Sequence, residues 1–554
     1  MTTLGSRAGW HRATGALVIS WLVAAALAVS FHRFLPEQGW LMVHLTMLGA
    51  VSNALLVWTQ HFTRAITRSS ASAGRGGEVT RLVVFNISAL GVVIGMVTTT
   101  SLLTLAGAIG AGAVSAWHAA SLAQTVRTSL PGRLRAPARY YIAAAALLPP
   151  GVLLGWWTST APEGVTAYVL SAHVAVNVLG WVGLPILGTL ITLWPTVLHV
   201  RMDESTESRA RTVLPVLVGA VLIVALGSLI PLLAGESGAT PSRILQALGL
   251  LGFVGAGLWL LQPAAAVTVR GKVGDFPSLS LASGAAWLLG TLAFAGLWVA
   301  TTGVPFSRAV SSLVIPLVGG GVVQVLLGAL GYLLPVMAGG GPSVLRGRIA
   351  VVDRGATWRV VAVNAALLFY VLPASSLVMV TTSLMALGVA IVSGVRIALA
   401  MFRTPEPITY AESASQPSAD APAAGENKPS PHSRREESVL SPHSRREESV
   451  LSPHSRRRGD VGRGLGERSG GIVAGLTVAL LAVVGGVAGD PAAAGVVGPL
   501  GGQIVAGASP SVPASGAGPS VPASSEVTRV DVQVEGMRFV PDSIQVPAGS
   551  ALEI

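Results

Sequence analysis

Apolar runs of about twenty residues, each closed by a short polar turn, recur along most of the chain. An α-helix needs about that length to cross a hydrocarbon layer roughly 30 Å thick. Twelve such runs precede residue 403, near 13–34, 40–63, 82–102, 104–126, 140–158, 166–199, 213–234, 242–268, 281–302, 309–337, 359–379 and 381–402. The region 82–126 is divided only by Thr98, Thr99, Thr100 and Ser101, the weakest of the boundaries. A thirteenth run lies at 471–489. The pattern predicts an all-α polytopic membrane bundle of about twelve helices over 1–403, with one further helix, 471–490, tethered to it.

Between them, 404–470 is polar. It carries SPHSRREESVL at 430–440 and again at 441–451, and SPHSRR returns at 452. A period of 11 suits a right-handed supercoil. Each copy, however, offers only Val and Leu as apolar side chains and contains a helix-breaking Pro, so the segment reads as a disordered basic linker. Its SPHSRR units are candidates for anionic lipid contact or Ser phosphorylation; a repeat-expanded tether is the plainer reading. A second tether, 491–525, is rich in Gly, Ala, Ser and Pro and repeats PSVPAS at 510 and 519. From residue 526 the period changes to two. Val530, Val532 and Val534 alternate with polar residues, Ile544 and Val546 resume the alternation, and Leu552 and Ile554 begin a third run. That is a half-buried β pattern. Three short strands cannot bury a core alone, so 526–554 is expected to open a domain that continues past Ile554.

Composition agrees with the membrane reading. Half the residues, 51%, are hydrophobic and 11% are charged, against about 25% charged in soluble proteins. The net charge of +11 does not point to nucleic acid, because the basic residues sit in short loops and one linker rather than on an amphipathic face. Their placement instead orients the chain. Alternate loops hold Arg64, Arg68, Arg75 and Arg81, then the groups at 127–139, 201–211, 270–272 and 346–359, seventeen in all, while the other loops hold Arg33, Arg243 and Arg308. The positive-inside rule then places the N-terminus in the cytoplasm and, after thirteen crossings, the C-terminal segment outside it. There is no cysteine, which excludes disulfides, zinc–thiolate sites and a complete blue-copper site within these residues.

The spacing V-x-V-x-x-x-x-M-x-F-x-P-x-x-I-x-V-P-A-G-x-x-L-x-I over 530–554, with Met537, Phe539, Pro541, Ile544, Val546, Pro547, Gly549, Leu552 and Ile554, resembles the opening strands of a cupredoxin domain, as in copper-containing nitrite reductases and multicopper oxidases. The resemblance covers about 25 residues. It implies copper held by two His, a Cys and usually a Met further along such a domain; none has a counterpart here, and Met537 reads as a core side chain. It also implies a homotrimer of the kind copper nitrite reductases form, though no trimer contact is visible in the sequence.

Ionisable residues at membrane depth are functional hypotheses by default. His44 lies about one turn into the second run and His173 about two turns into the sixth, at similar depth; His61 and His199 lie near the opposite ends of the same runs, and Asn53 and Asn177 accompany them. His32 is marginal and His118 reads as packing. Trp156, Trp157, Trp181 and Trp194 read as interface anchors or packing side chains. A faint repetition joins GTLITLWP (188–195) to GALGYLLP (328–335) and suggests three four-helix units. Twelve helices in three arcs resemble the catalytic subunit of heme-copper oxidases. The H-x4-G…N…W-x-x-H-F of the second run and the H-x3-N-x2-G-W-x-G…W-P-T-x-x-H of the sixth look closer to the NnrS-type heme and copper membrane proteins associated with nitric oxide and nitrite stress. One departure is that the tenth run has Gln324 and no His, so an oxygen-reducing centre is not expected. What remains is His44 and His173 as candidate ligands of one heme or one copper ion, set against a plain role in hydrogen bonding between helices.

The resulting expectation is a membrane-anchored copper oxidoreductase of the multicopper oxidase or nitrite reductase type, whose copper ligands would lie beyond residue 554, with the lipid bilayer and a respiratory electron donor as partners. On that reading these residues alone would not catalyse nitrite reduction. The alternatives are a polytopic transporter, an NnrS-like stress protein without catalysis, or a purely structural anchor; the scarcity of buried acids in the runs argues against ion coupling.

Overall fold

The computed structural model describes residues 7–69, 75–129, 135–269, 271, 273–372, 376–402 and 459–489, and four three-residue segments between 527 and 553. Thirteen long helices make the bundle: α1 Arg7–Ser30, α2 Gln38–Thr67, α3 Gly76–Val97, α4 Ser101–Thr128, α5 Ala136–Thr160, α6 Glu163–Val197, α7 Thr206–Ala234, α8 Ala239–Thr268, α9 Phe276–Thr302, α10 (Phe306–Ser312 running on into Ile315–Met337), α11 Ala356–Val371, α12 Ser376–Phe402 and α13 Gly459–Gly489. Eleven helical stretches are long and apolar enough to cross a membrane. One of them, Thr206–Thr268, is 63 residues long, about 95 Å if straight, three times the hydrocarbon thickness. It turns back at Gly235–Gly238, where Gly235 takes φ 58°, so α7 and α8 lie side by side. Leu226, Leu248, Leu258, Phe294 and Leu297 face outward on the bundle. An apolar exterior of this kind is solvated by lipid, not water, and the protein is a multi-pass membrane protein.

Helix boundaries follow local chemistry. Asp275 caps α9, its carboxylate accepting from Ser278 N at 2.8 Å, and Gly303 closes that helix at φ 78°. Thr98–Thr100 do break the long run 82–126, with Thr99 at φ 54°. Prolines inside helices free carbonyls four residues back, and neighbouring helices use them. Pro149 frees Ala145 O, which accepts from Ser115 Oγ at 2.8 Å; Pro263 frees Trp259 O, which accepts from Arg209 Nη1 at 3.0 Å.

Three units of four helices, α1–α4, α5–α8 and α9–α12, are joined through α4–α5 and α8–α9 and closed by α1 against α12. The second helix of each unit is the most buried, and each carries a π-helical segment: Leu45–Val51, Ala175–Gly183 and Ile315–Val323. Gly49, Gly180 and Gly320 lie within these segments, 131 and 140 residues apart. The same two steps relate Arg68, His199 and Gly339, which end the three helices at φ 51°, 54° and 71°. Ser69 N donates to Arg64 O at 3.2 Å and Val200 N to Pro195 O at 3.0 Å, the pairing of a helix closed by a left-handed residue. Carboxylates tie helices together within the second and third units at the arginine-rich end. Glu207 accepts from Ala136 N, and Asp353 from Phe276 N at 3.0 Å; Ala136 and Phe276 are the first residues of α5 and α9. Asp353 ends a short helix, Gly341–Asp353, that the apolar pattern does not predict. Burial pushes its carboxyl up to about 6, helped by Asp275 and opposed by the Phe276 N–H and Arg359.

Helix α13 packs on α11 and α12, where Thr381 Oγ1 donates to Ala482 O at 2.8 Å. It is therefore docked against the bundle, and begins at Gly459 rather than 471. The linkers expected at 404–470 and 491–525 fall largely or wholly outside the described residues. So does most of 526–554. The segments described there, Val527–Arg529, Gln533–Glu535, Arg538–Val540 and Ala551–Glu553, form two separate two-stranded ladders. Among the described residues, the bundle itself contains no strand.

Candidate functional site

His44 and His173 come together. Their ring centroids are 6.2 Å apart and their planes 22° from parallel. His44 is the last α-helical residue before the π segment of α2, and His173 lies two residues before that of α6. A π turn inserts one extra residue and re-aims the side chains beside it, and such turns recur at functional sites.

Each ring is oriented through Nδ1. That of His44 lies 2.8 Å from Trp40 O one turn back, and the ring stacks on Trp40 at 4.0 Å between centroids. His173 Nδ1 lies 2.8 Å from Gly151 O on α5. Asn177 Nδ2 is 3.2 Å from the same nitrogen, but it donates to His173 O at 2.8 Å. A carbonyl only accepts, so in both rings Nδ1 carries the hydrogen and Nε2 keeps its lone pair. Small residues on α5 make the room. A Cβ on Gly155 would sit 2.7 Å from His173 Cε1, and one on Gly151 would sit 2.7 Å from the Asn177 amide.

The fold distributes the other candidates differently. His61 meets His11, which the sequence reading passed over, at 4.9 Å between centroids, and His11 stacks on Trp58. His199 is the left-handed residue ending α6. His118 is buried and its Nε2 lies 2.8 Å from Thr59 Oγ1. His32 is exposed in a short turn, Nδ1 near Val29 O. Trp181 Nε1 donates to Ser52 Oγ at 2.9 Å and so links α6 to α2; Trp194 and Trp156 donate to Thr268 and Ser101. Met537 lies outside the described residues.

Two polar triads were missed. Asn86 Oδ1 accepts from Trp21 Nε1 at 2.7 Å and from Asn53 Nδ2 at 3.1 Å, while Asn86 Nδ2 donates to Asn53 Oδ1 at 2.8 Å. The third unit repeats this with Asn364, Trp287 and Gln324 at 2.6, 3.3 and 3.2 Å. Gln324 thus occupies the place of Asn53, bonded to Asn364 where a heme ligand might have been sought. Lone amides in the apolar runs of α3 and α11 were the available signal. Among the described residues, no three His, Cys, Asp or Glu side chains are placed to share a metal ion. Comparison with protein-family models and with curated proteins finds no match to this chain.

Proposed function

We propose that the bundle is the membrane module of a redox protein, with His44 and His173 as the protein ligands of one centre, heme iron or copper. The observation that carries this reading is the meeting of two imidazoles from separate helices, each anchored at Nδ1 by a carbonyl. Metal-ligating histidines are held this way, with the remaining nitrogen presented to the metal. The separation fits. Ring centroids 6.2 Å apart leave both imidazoles within reach of one shared ion. The donor set, two neutral imidazoles, would suit heme iron or a copper ion. It does not suit a blue-copper site, which needs a thiolate. When bound, such a centre supplies one-electron transfer within the membrane. The chain's own part is to orient the two rings: Gly151 O and Trp40 O fix the tautomers and leave each Nε2 its lone pair, Gly155 admits the His173 ring, and Trp40 covers one face of His44.

The cupredoxin-like spacing of 530–554 supports a wider reading, a membrane-anchored copper oxidoreductase in which α13 carries that segment to the face opposite the arginine-rich loops, outside the cytoplasm. The test is direct. The full chain, purified from cells replete in heme and copper, is expected to show a heme absorbance band or about one copper per chain, lost in the His44→Ala/His173→Ala double variant. A colourless, metal-free protein, or metal content unchanged in the double variant, overturns the reading.

A further inference from the structure

A cavity of about 270 Å³ opens at the arginine-rich end of the first unit, between the start of α1, the end of α2 and the start of α3. Trp10, His11, His61, Arg64, Arg75 and Glu78 line it. Arg64 pairs with Glu78, and the Arg75 guanidinium lies 5.7 Å from the centre of the Trp10 ring. Among the described lining residues, and with neutral imidazoles, there are two guanidinium groups and one carboxylate. His11 is buried and His61 half-buried beside it, their rings edge to face. Both imidazoles are oriented by Trp58.

The cavity does not suit a cation. Among the described residues no three His, Asp or Glu side chains come close enough to share a metal, and the excess charge is positive. It suits an anion that takes several N–H donors at once. A guanidinium offers a planar fork of donors matched to phosphate oxygens, and the ring nitrogens of His11 and His61 add to it. The cavity lies level with the basic loops, where anionic headgroups gather around a membrane protein.

We propose that this cavity binds a phosphate-bearing anion, gripped by Arg75 and Arg64 with His11 and His61 as further donors. The phosphate belongs either to an anionic phospholipid headgroup or to a free phosphate, and the two sources can be told apart. Thermal melting of the full chain in detergent is titrated with dioleoylphosphatidic acid, with dioleoylphosphatidylcholine, and separately with inorganic phosphate. Phosphatidic acid is expected to raise the melting temperature saturably and the zwitterionic lipid to leave it unchanged. A comparable rise with inorganic phosphate assigns the site to the free ion. Arg75→Gln should weaken the apparent affinity about tenfold, the loss of one charge-assisted contact, with melting in ligand-free detergent unchanged. Should Arg75→Gln lower that baseline, His61→Phe, which keeps a ring and removes the donor, is expected to weaken binding several-fold in its place. No shift with either anion, or affinities equal in wild type and both variants, overturns the proposal.

Discussion

Replacing Asn86 with Leu puts the first polar triad to a quantitative test. In the native bundle Asn86 makes three side-chain bonds to Trp21 and Asn53 and donates to Leu82 O on its own helix at 2.7 Å. Asn53 is fully buried, and its amide nitrogen also donates to Gly49 O at 2.8 Å. The substitution therefore strands two groups, Asn53 Oδ1 and Trp21 Nε1, while Asn53 Nδ2 keeps Gly49. A stranded buried group costs about 1–3 kcal/mol, and hydrogen bonds between membrane helices sit near the low end, about 0.6–1.7 kcal/mol in measured cases. The single variant should lose about 2–3 kcal/mol. Adding Asn53→Leu removes one of the two stranded groups, so the double variant should be more stable than the single by about 1 kcal/mol. The assay is reversible unfolding of the purified chain in mixed detergent micelles of rising denaturing-detergent fraction, read by tryptophan fluorescence. Additive losses, with the double variant less stable than Asn86→Leu alone, refute the view that the two amides form one unit.

Three further expectations follow from individual contacts. Gly155→Ala drives a Cβ into the His173 ring; it should cost about 1–3 kcal/mol as an overpacked contact and displace Nε2, so metal content falls while helicity measured by circular dichroism does not. Asp353 has its folded pKa raised to about 6 from 3.8; its contribution is fully present below pH 3.8 and is lost as pH rises through about 6, on the order of 3 kcal/mol. Asp353→Asn should flatten the fall in melting temperature across pH 4–6. Because the chain has no cysteine, Ser205→Cys and Ser237→Cys give clean labels at opposite ends of α7; in intact cells a membrane-impermeant maleimide should reach Ser237→Cys alone, and the reverse result overturns the proposed orientation.

The bundle was legible because crossing a membrane demands uninterrupted apolar length, a property of composition rather than of contacts. Each predicted run overlaps an observed helix, with errors at polar first turns: α9 begins at Phe276, not 281, because Pro277, Ser278 and Ser280 look like loop until Asp275 is seen to cap them. Gly341–Asp353 was missed for the same reason, since a basic helix outside the membrane has no apolar signature. The depth of His44 and His173 could be counted along their runs. Their meeting could not, because rotation about a helix axis is set by packing, and the π segments change that rotation partway along. Periodicity assumes 3.6 residues per turn throughout and does not register one inserted residue. The faint GTLITLWP and GALGYLLP repetition marks a real structural equivalence. At the position equivalent to Asn53 the third unit carries Gln324, which serves a triad of its own.

Repetition also separates what the scaffold needs from what it does not. Each unit must fix its bulged second helix against its first. The outer units do so with a tryptophan, Trp21 or Trp287, lying against the π-segment glycine and bonded to the amides. In the middle unit the glycine is Gly180 and the side chain against it is Leu147, an apolar contact. Polar α5–α6 connections lie to either side of it, His173 Nδ1 donating to Gly151 O at one side and Tyr141 OH meeting Thr189 Oγ1 at the other. His173 thus has a structural duty that accounts for it without any metal. His44 has none: its Nδ1 returns to Trp40 O within its own helix, a bond that ties no two helices together. A purely structural account therefore predicts an asymmetry, with His173→Ala destabilising the bundle by about 1–2 kcal/mol and His44→Ala nearly neutral in both stability and metal content. The ligand reading predicts the same asymmetry in stability and equal, severe loss of the metal signal in either single variant. Unfolding curves and metal analysis on the two single variants decide between them, and a His44→Ala protein that keeps its metal would leave His173 as an interhelical strut.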